Sequence, residues 1–282
     1  MCFREVFWKG NMMSKLIRDE DIIEEIKNIV EIVRERNEIV NPVIRDDVFM
    51  LLQACQCTVL YYPLDGEQED GCDGFHLEKP VNGEMKQFVF INTENTRERQ
   101  AFSAAHELGH IWNVDKLIKE KFPNKEIDHQ MSEDIINRFA AELLMPEEHF
   151  QKQINAYLEK IDYNGKSVKL TELIDMTVYL MNYFFVPYKA VIIRFEELNR
   201  LKEEYESEIL AYKDSKIVES IIQTKQYTRL NVISRHKSLD NLQELLLQAH
   251  DEELISDKRF NNICDLFEFK SIEETSDEDV SF

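Results

Sequence analysis

The stretch AFSAAHELGHIW carries two histidines four residues apart with a glutamate directly after the first, and together these residue types can hold a metal ion and move a proton. On an α-helix each residue turns by about 100°, so His106 and His110 lie roughly 40° apart, one turn above the other, and both imidazoles can converge on one Zn²⁺. Glu107 falls about 60° from His110, which sets its carboxylate beside the metal, where a base acting on water belongs. The flanks read as helix: Asn95 and Glu98 have capping-box spacing, and no proline interrupts residues 96–116. Phe102, Ala105, Gly109 and Trp112 supply an apolar stripe next to the histidines. Gly109 costs about 1 kcal/mol relative to alanine, so its place in the motif predicts a close neighbour or the metal pocket itself. In a chain with seven histidines and 55 acidic residues the bare pattern can arise by chance, so other residues must complete the site.

A catalytic zinc site needs a third protein ligand and one open position. The segment SEDIINRFAAELLMP, 132–146, offers Glu133, which shares a helical face with Ile136, Asn137, Ala140 and Leu144. A carboxylate on an apolar stripe needs a partner. A metal ion is one; the positive end of its own helix is the other. Asn137, one turn further, is placed to accept the free N–H of a ligating imidazole. Glu126 and Asp128 stand next as carboxylate ligands. An oxyanion-stabilising donor is also expected, with His129, Tyr188 and Arg194 as candidates. His76, His149, His236 and His250 show no partner pattern and read as structural or exposed.

The elements that must position these residues follow from periodicity. Ile22, Ile23, Ile26, Ile29, Val30 and Val33 recur at helical spacing, and a second helix runs from Ile44 to Ala54 after the Asn41–Pro42 breaker. TVLYY, 58–62, reads as a strand; GFHLE, 74–78, and KQFVFIN, 86–92, read as a hairpin around Asn82–Gly83. A small sheet feeding the histidine helix suits a peptidase, because an extended substrate can add to a sheet edge, with FVFIN as the expected edge. Leu239, Leu242, Leu245, Leu246 and Ala249 form the clearest stripe beyond residue 200.

At 282 residues and 43% hydrophobic, the chain has material for one large or two small domains. Its opening has no apolar core or small-residue cleavage site of a signal peptide, and no apolar run approaches the roughly 18 residues of a membrane span. Met12 or Met13 is a candidate start. Five cysteines without a C-x-x-C pair fit a reducing cytoplasm; Cys55 and Cys57, alternate residues entering a strand, point to opposite faces and make a poor metal pair. A net charge of −21 argues against nucleic-acid binding. One basic island interrupts it: Lys213, Lys216, Lys225, Arg229, Arg235 and Lys237 against Asp214 and Glu219. It offers an acidic partner a complementary surface. The end, SIEETSDEDVSF, is too polar to pack and is expected to be disordered.

HELGH followed by E-x-x-x-N-x-F-A-A-E-L-L-M-P, here His106–His110 and Glu133–Pro146, resembles the ImmA/IrrE-type metallopeptidases. The likeness extends to FVFINTENTRERQAFSAAHELGH and, more weakly, to FFVPYKAVIIRFEELN at 184–199; Ile136 stands where the family usually has a small residue. It implies an α+β, mainly helical fold, with a small antiparallel sheet packed on a zinc-binding helix in a gluzincin-like core. The implied organisation is an extension at 1–14, a peptidase domain at 15–200, a helical C-terminal region at 201–270 and an acidic tail at 271–282. It further implies one Zn²⁺ per chain on His106, His110 and Glu133, with Glu107 as base and Asn137 behind a ligand. The expected activity is cytoplasmic endoproteolysis of a specific protein, such as a helix-turn-helix repressor encoded nearby. The alternative is a toxin or sensor held inactive by a partner such as a cognate antitoxin. A structural zinc module is disfavoured by Glu107, since a closed site has no use for an adjacent base.

Overall fold

The computed structural model describes residues 16–64, 72–81, 83–163, 168–201, 203–239 and 241–269; the expected 1–14 extension and 271–282 tail lie outside them, as does Asn82. In α1 (Glu20–Arg36) the apolar residues at helical spacing are buried, and the Asp19 carboxylate caps the Ile22 N–H. A 3₁₀ turn (Arg45–Asp47) leads into α2 (Val48–Ala54). Then come β1 (Thr58–Tyr62), β2 (Gly74–Val81) and β3 (Glu84–Asn92). The helical core follows in α3 (Arg97–Ile111), α4 (Val114–Lys121), α5 (His129–Leu144), α6 (Glu147–Lys160), α7 (Leu170–Phe184) and α8 (Tyr188–Glu197). Beyond it lie α9 (Glu203–Leu210), α10 (Lys216–Thr224), β4 (Ser238–Leu239), α11 (Leu242–Asp251) and α12 (Asp257–Phe267).

The fold is α+β and mostly helical, but its sheet is mixed rather than antiparallel. The strand order is β2-β3-β1-β4, with β1 parallel to β3 and the other pairs antiparallel. This corrects the edge as well. FVFIN lies in β3, which is paired on both sides, and its Val89 and Ile91 are buried where an edge would expose them. Among the described residues the free edge next to the histidine helix is β2, whose Leu77–Pro80 stretch is exposed.

The start of α3 also differs from the expected capping box. Thr96 is its N-cap, and no side chain caps the helix. Glu98 is buried and accepts the Asn231 N–H at 3.2 Å instead, while Asn95 donates to Asp73. The helix ends before Lys116, because Asn113 adopts a left-handed conformation (φ 51°) and α4 starts afresh.

A segment from the C-terminal region causes the first of these differences. Residues 231–236 run across the turn before α3, with Arg97 N–H donating to Val232 O at 2.8 Å and Arg235 N–H to Thr93 O at 3.1 Å. Leu239 does not belong to the helical stripe; it sits in β4, opposite Leu60 of β1. Ile209, Val218, Ile222 and Leu230 join the main core, whereas Leu246, Phe260 and Cys264 form a small separate cluster between α11 and α12. The basic island is engaged within the chain: Lys225 pairs with Asp175, Arg229 with Asp46 and Arg235 with Glu94. Among the described residues no single helix is long and apolar enough to cross a membrane.

Candidate metal centre

Close packing of α3 on α5 brings the motif residues together. A Cβ on Gly109 would stand 3.0 Å from side-chain carbons of both Ile136 and Phe139, so the glycine serves the helix crossing rather than the metal pocket. Three donor atoms then converge: His106 Nε2 lies 3.1 Å from His110 Nε2 and 3.3 Å from Glu133 Oε2, and His110 Nε2 lies 3.7 Å from Glu133 Oε1. The edge of a tetrahedron drawn with metal–nitrogen distances of 2.0–2.1 Å is about 3.3 Å, so the cluster has the dimensions of a three-ligand site. His106 Nδ1 donates to Asn137 Oδ1 at 2.9 Å. An amide oxygen only accepts, which puts the His106 proton on Nδ1 and leaves the Nε2 lone pair turned toward the other two donors. Lone pairs facing one another at this range repel unless a cation lies between them, so the donor set fits a metal ion.

Glu107 lies behind this cluster, almost fully buried, with Oε2 lacking any hydrogen-bond partner. Burial pushes its carboxyl up to about 7; His106 opposes the rise, while Glu133 and Asp73 add to it. Burial, followed by the neighbouring His106, depresses His110 to about 3. For His106 burial acts downward but Glu133 and Glu107 outweigh it, so the net shift is upward; Glu133 is lowered because His106 and His110 outweigh its own burial. A bound cation would favour the carboxylate forms of both glutamates.

The donors open into a cleft of ≈ 310 Å³, whose walls include Gly74 and His76 of β2, Asp115, and His129 and Ser132 of α5. A larger groove of ≈ 1150 Å³ between α1 and α6 contains none of the three donors and so has no part in this chemistry. Two of the expected oxyanion donors are elsewhere. Tyr188 is buried and donates to Ile209 O. Arg194 is fully buried and bonds Met145 O, Glu142 and Glu197. His129 does line the cleft, on its exposed side. His76, which the sequence marks only as structural or exposed, lines it too, with its ring parallel to that of His110 (interplanar angle 9°, centroids 6.4 Å apart). Burial lowers its pKa from the usual histidine value. Asp73 is a further residue without a sequence signal: it is buried beside Glu107, paired with Arg99 at 2.7 Å and bonded by Asn95 at 2.8 Å.

A helix carrying H-E-x-x-H, a carboxylate from the next long helix and a sheet edge alongside together define the framework of a metallopeptidase. The chain belongs to the family described as Peptidase_M78, IrrE N-terminal-like domain, whose model matches residues 53–196. That span includes the three strands of the hairpin side of the sheet and all of α3 to α8 but the last residue. No curated protein matches the chain.

Proposed function

We propose that the chain is a zinc-dependent endopeptidase acting on one intracellular protein, a helix-turn-helix repressor or similar regulator being the substrate that the family resemblance suggests. The observation that carries this reading is the unpartnered, buried Glu107 Oε2 beside three convergent donors. A structural metal site would have no need for such a group.

His106, His110 and Glu133 would hold the ion, and Asn137 fixes the His106 tautomer. When bound, zinc supplies Lewis acidity toward a carbonyl oxygen and toward water. Glu107 Oε2 takes the proton of the attacking water and later delivers it to the leaving amine nitrogen. Its upward-shifted pKa suits a group that must both accept and release a proton near neutrality. The exposed β2 edge supplies backbone groups to hold the substrate as an added strand.

The test pairs metal analysis with cleavage of a randomised decapeptide library. Wild type is expected to hold about one Zn²⁺ and to cut the library; His106→Ala, His110→Ala and Glu133→Ala lose the metal. Glu107→Gln keeps metal and fold but loses at least about 10²-fold in rate, since an amide cannot accept the proton. Full turnover by Glu107→Gln, or retention of zinc by Glu133→Ala, removes the proposed roles.

A further inference from the structure

β2 both borders the cleft and offers its open edge, and its pairing shows which residues face where. Asn92 N–H donates to Asp73 O at 3.0 Å, so Asp73–Asn92, Phe75–Phe90 and Leu77–Phe88 are the hydrogen-bonded pairs of the hairpin. The backbone N–H and C=O groups of Gly74 and His76 therefore turn outward, to the edge where a substrate strand would pair. Their α-substituents share one face by strand alternation, and that face is toward α3: the Cβ position of Gly74 meets Glu107, and His76 stacks parallel to His110. A peptide added to this edge passes directly over the side chain of His76.

That side chain has an unspent polar atom. His76 Nε2 is buried and has no hydrogen-bond partner, in a ring that lines the cleft. Buried polar atoms are almost always paired, and an exception at a reactive site calls for an explanation. Its ring is also held in place, since His76 is paired to Val89 in the ladder and stacked on His110, whereas His129 sits exposed in the first turn of α5. A fixed donor costs no reorganisation when charge develops on a substrate oxygen.

We propose that His76 is a catalytic residue, its Nε2–H donating to the scissile carbonyl oxygen as that carbon becomes tetrahedral. This rests on the endopeptidase reading above. In the step, the water oxygen bonds to the carbonyl carbon, a water proton passes to Glu107, and the π pair moves onto the oxygen that His76 faces. His76 donates a hydrogen bond throughout and transfers no proton.

The experiment compares His76→Phe, which keeps a flat ring against His110 but has no donor, with His76→Gln, which restores an N–H. The substrate is a peptide that wild type cuts from the library. His76→Phe is expected to keep its zinc, hold KM within about threefold and lose about 10²-fold in kcat, the usual effect of removing one oxyanion donor. His76→Gln should recover about tenfold of that. Independently of turnover, a phosphinic pseudopeptide of the cleaved sequence, tetrahedral at the scissile position, should bind His76→Phe about 10²-fold more weakly, while the amino-terminal product peptide binds it as it binds wild type. A kcat within threefold of wild type, equal weakening of both probes, or metal loss in both variants overturns the role of His76 and leaves the endopeptidase reading standing. No cleavage by wild type overturns that reading and this one with it.

Discussion

Gly74 leaves the space that the Glu107 carboxylate occupies: a Cβ at position 74 would stand 3.2 Å from Glu107 Oε1 and 2.9 Å from the Phe90 carbonyl oxygen. The second contact is to backbone, so an added methyl group cannot be absorbed by a rotamer change, and β2 or Glu107 must shift. Gly74→Ala is expected to retain its metal while losing on the order of 10- to 100-fold in kcat/KM, because small misplacements of a catalytic group are costly. Gly83→Ala is the control. That glycine has nothing within 4 Å but a φ of +85°, so its variant should lose about 1 kcal/mol of stability and no activity. Steady-state kinetics with metal analysis on both variants checks this; equal activity of Gly74→Ala and wild type would sink it.

Asn137 acts on the centre through His106. With its amide oxygen 2.9 Å from Nδ1, the imidazole is held in the tautomer that points a lone pair at the cluster. Asn137→Leu keeps the approximate volume and removes the acceptor. Metal affinity, measured by competition with a chelator, should fall 10- to 100-fold. An affinity within twofold of wild type would mean that helix packing alone orients the ring.

The helical part of this centre is legible in the sequence because it is local: residues at i, i+1 and i+4 of one helix, and i and i+4 of another, meet whatever surrounds them. Glu133 and Asn137 were readable from an apolar stripe for the same reason. The sheet was not, since β1 pairs in parallel with β3 across an intervening hairpin, and no short-range pattern encodes that choice. The misplaced edge follows from it, and so does the misreading of His76, whose place in the cleft depends on β2 being outermost. The basic residues Lys225, Arg229 and Arg235 looked free because their acidic partners, Asp175, Asp46 and Glu94, lie far away in sequence.

The end of α5 opposite Glu133 is fixed by a buried charge network that sets an acid limit on stability. Burial alone would raise the Glu142 carboxyl, but Arg194, 2.5 Å away, together with the Glu147 N–H and Arg138, holds it below its ordinary 4.5. A carboxylate with a depressed folded pKa contributes stability that is present above the unfolded pKa and lost as pH falls through the folded one. Glu142→Gln leaves Arg194 with one carboxylate fewer and should cost about 3–5 kcal/mol at pH 7. The gap between wild type and variant should narrow progressively below about pH 4.5. Urea unfolding at several pH values from 7 to 3 reads this directly, and a gap that stays constant across that range would count against Glu142 as the titrating group.

The C-terminal region divides at β4 into a part the core needs and a part it does not. Ending the chain after residue 199 removes Ile209, Val218, Ile222 and Leu230 from the main core, the strand beside β1, and the segment that bonds Arg97 and Glu98 at the start of α3. Each buried aliphatic side chain contributes about 1.5–3 kcal/mol, so the combined loss is comparable to the whole stability of an ordinary domain. Such a truncation is expected to be insoluble or unfolded, and its failure to cut a substrate would say nothing about recognition. Ending the chain after residue 240 removes only α11 and α12, whose Leu246, Phe260 and Cys264 pack with one another outside the main core. That variant should melt cooperatively within a few degrees of wild type and keep its metal. If it then cuts library peptides normally but no longer cuts the natural substrate, the α11–α12 hairpin is the recognition element. If it unfolds as readily as the shorter chain, the division at β4 is wrong.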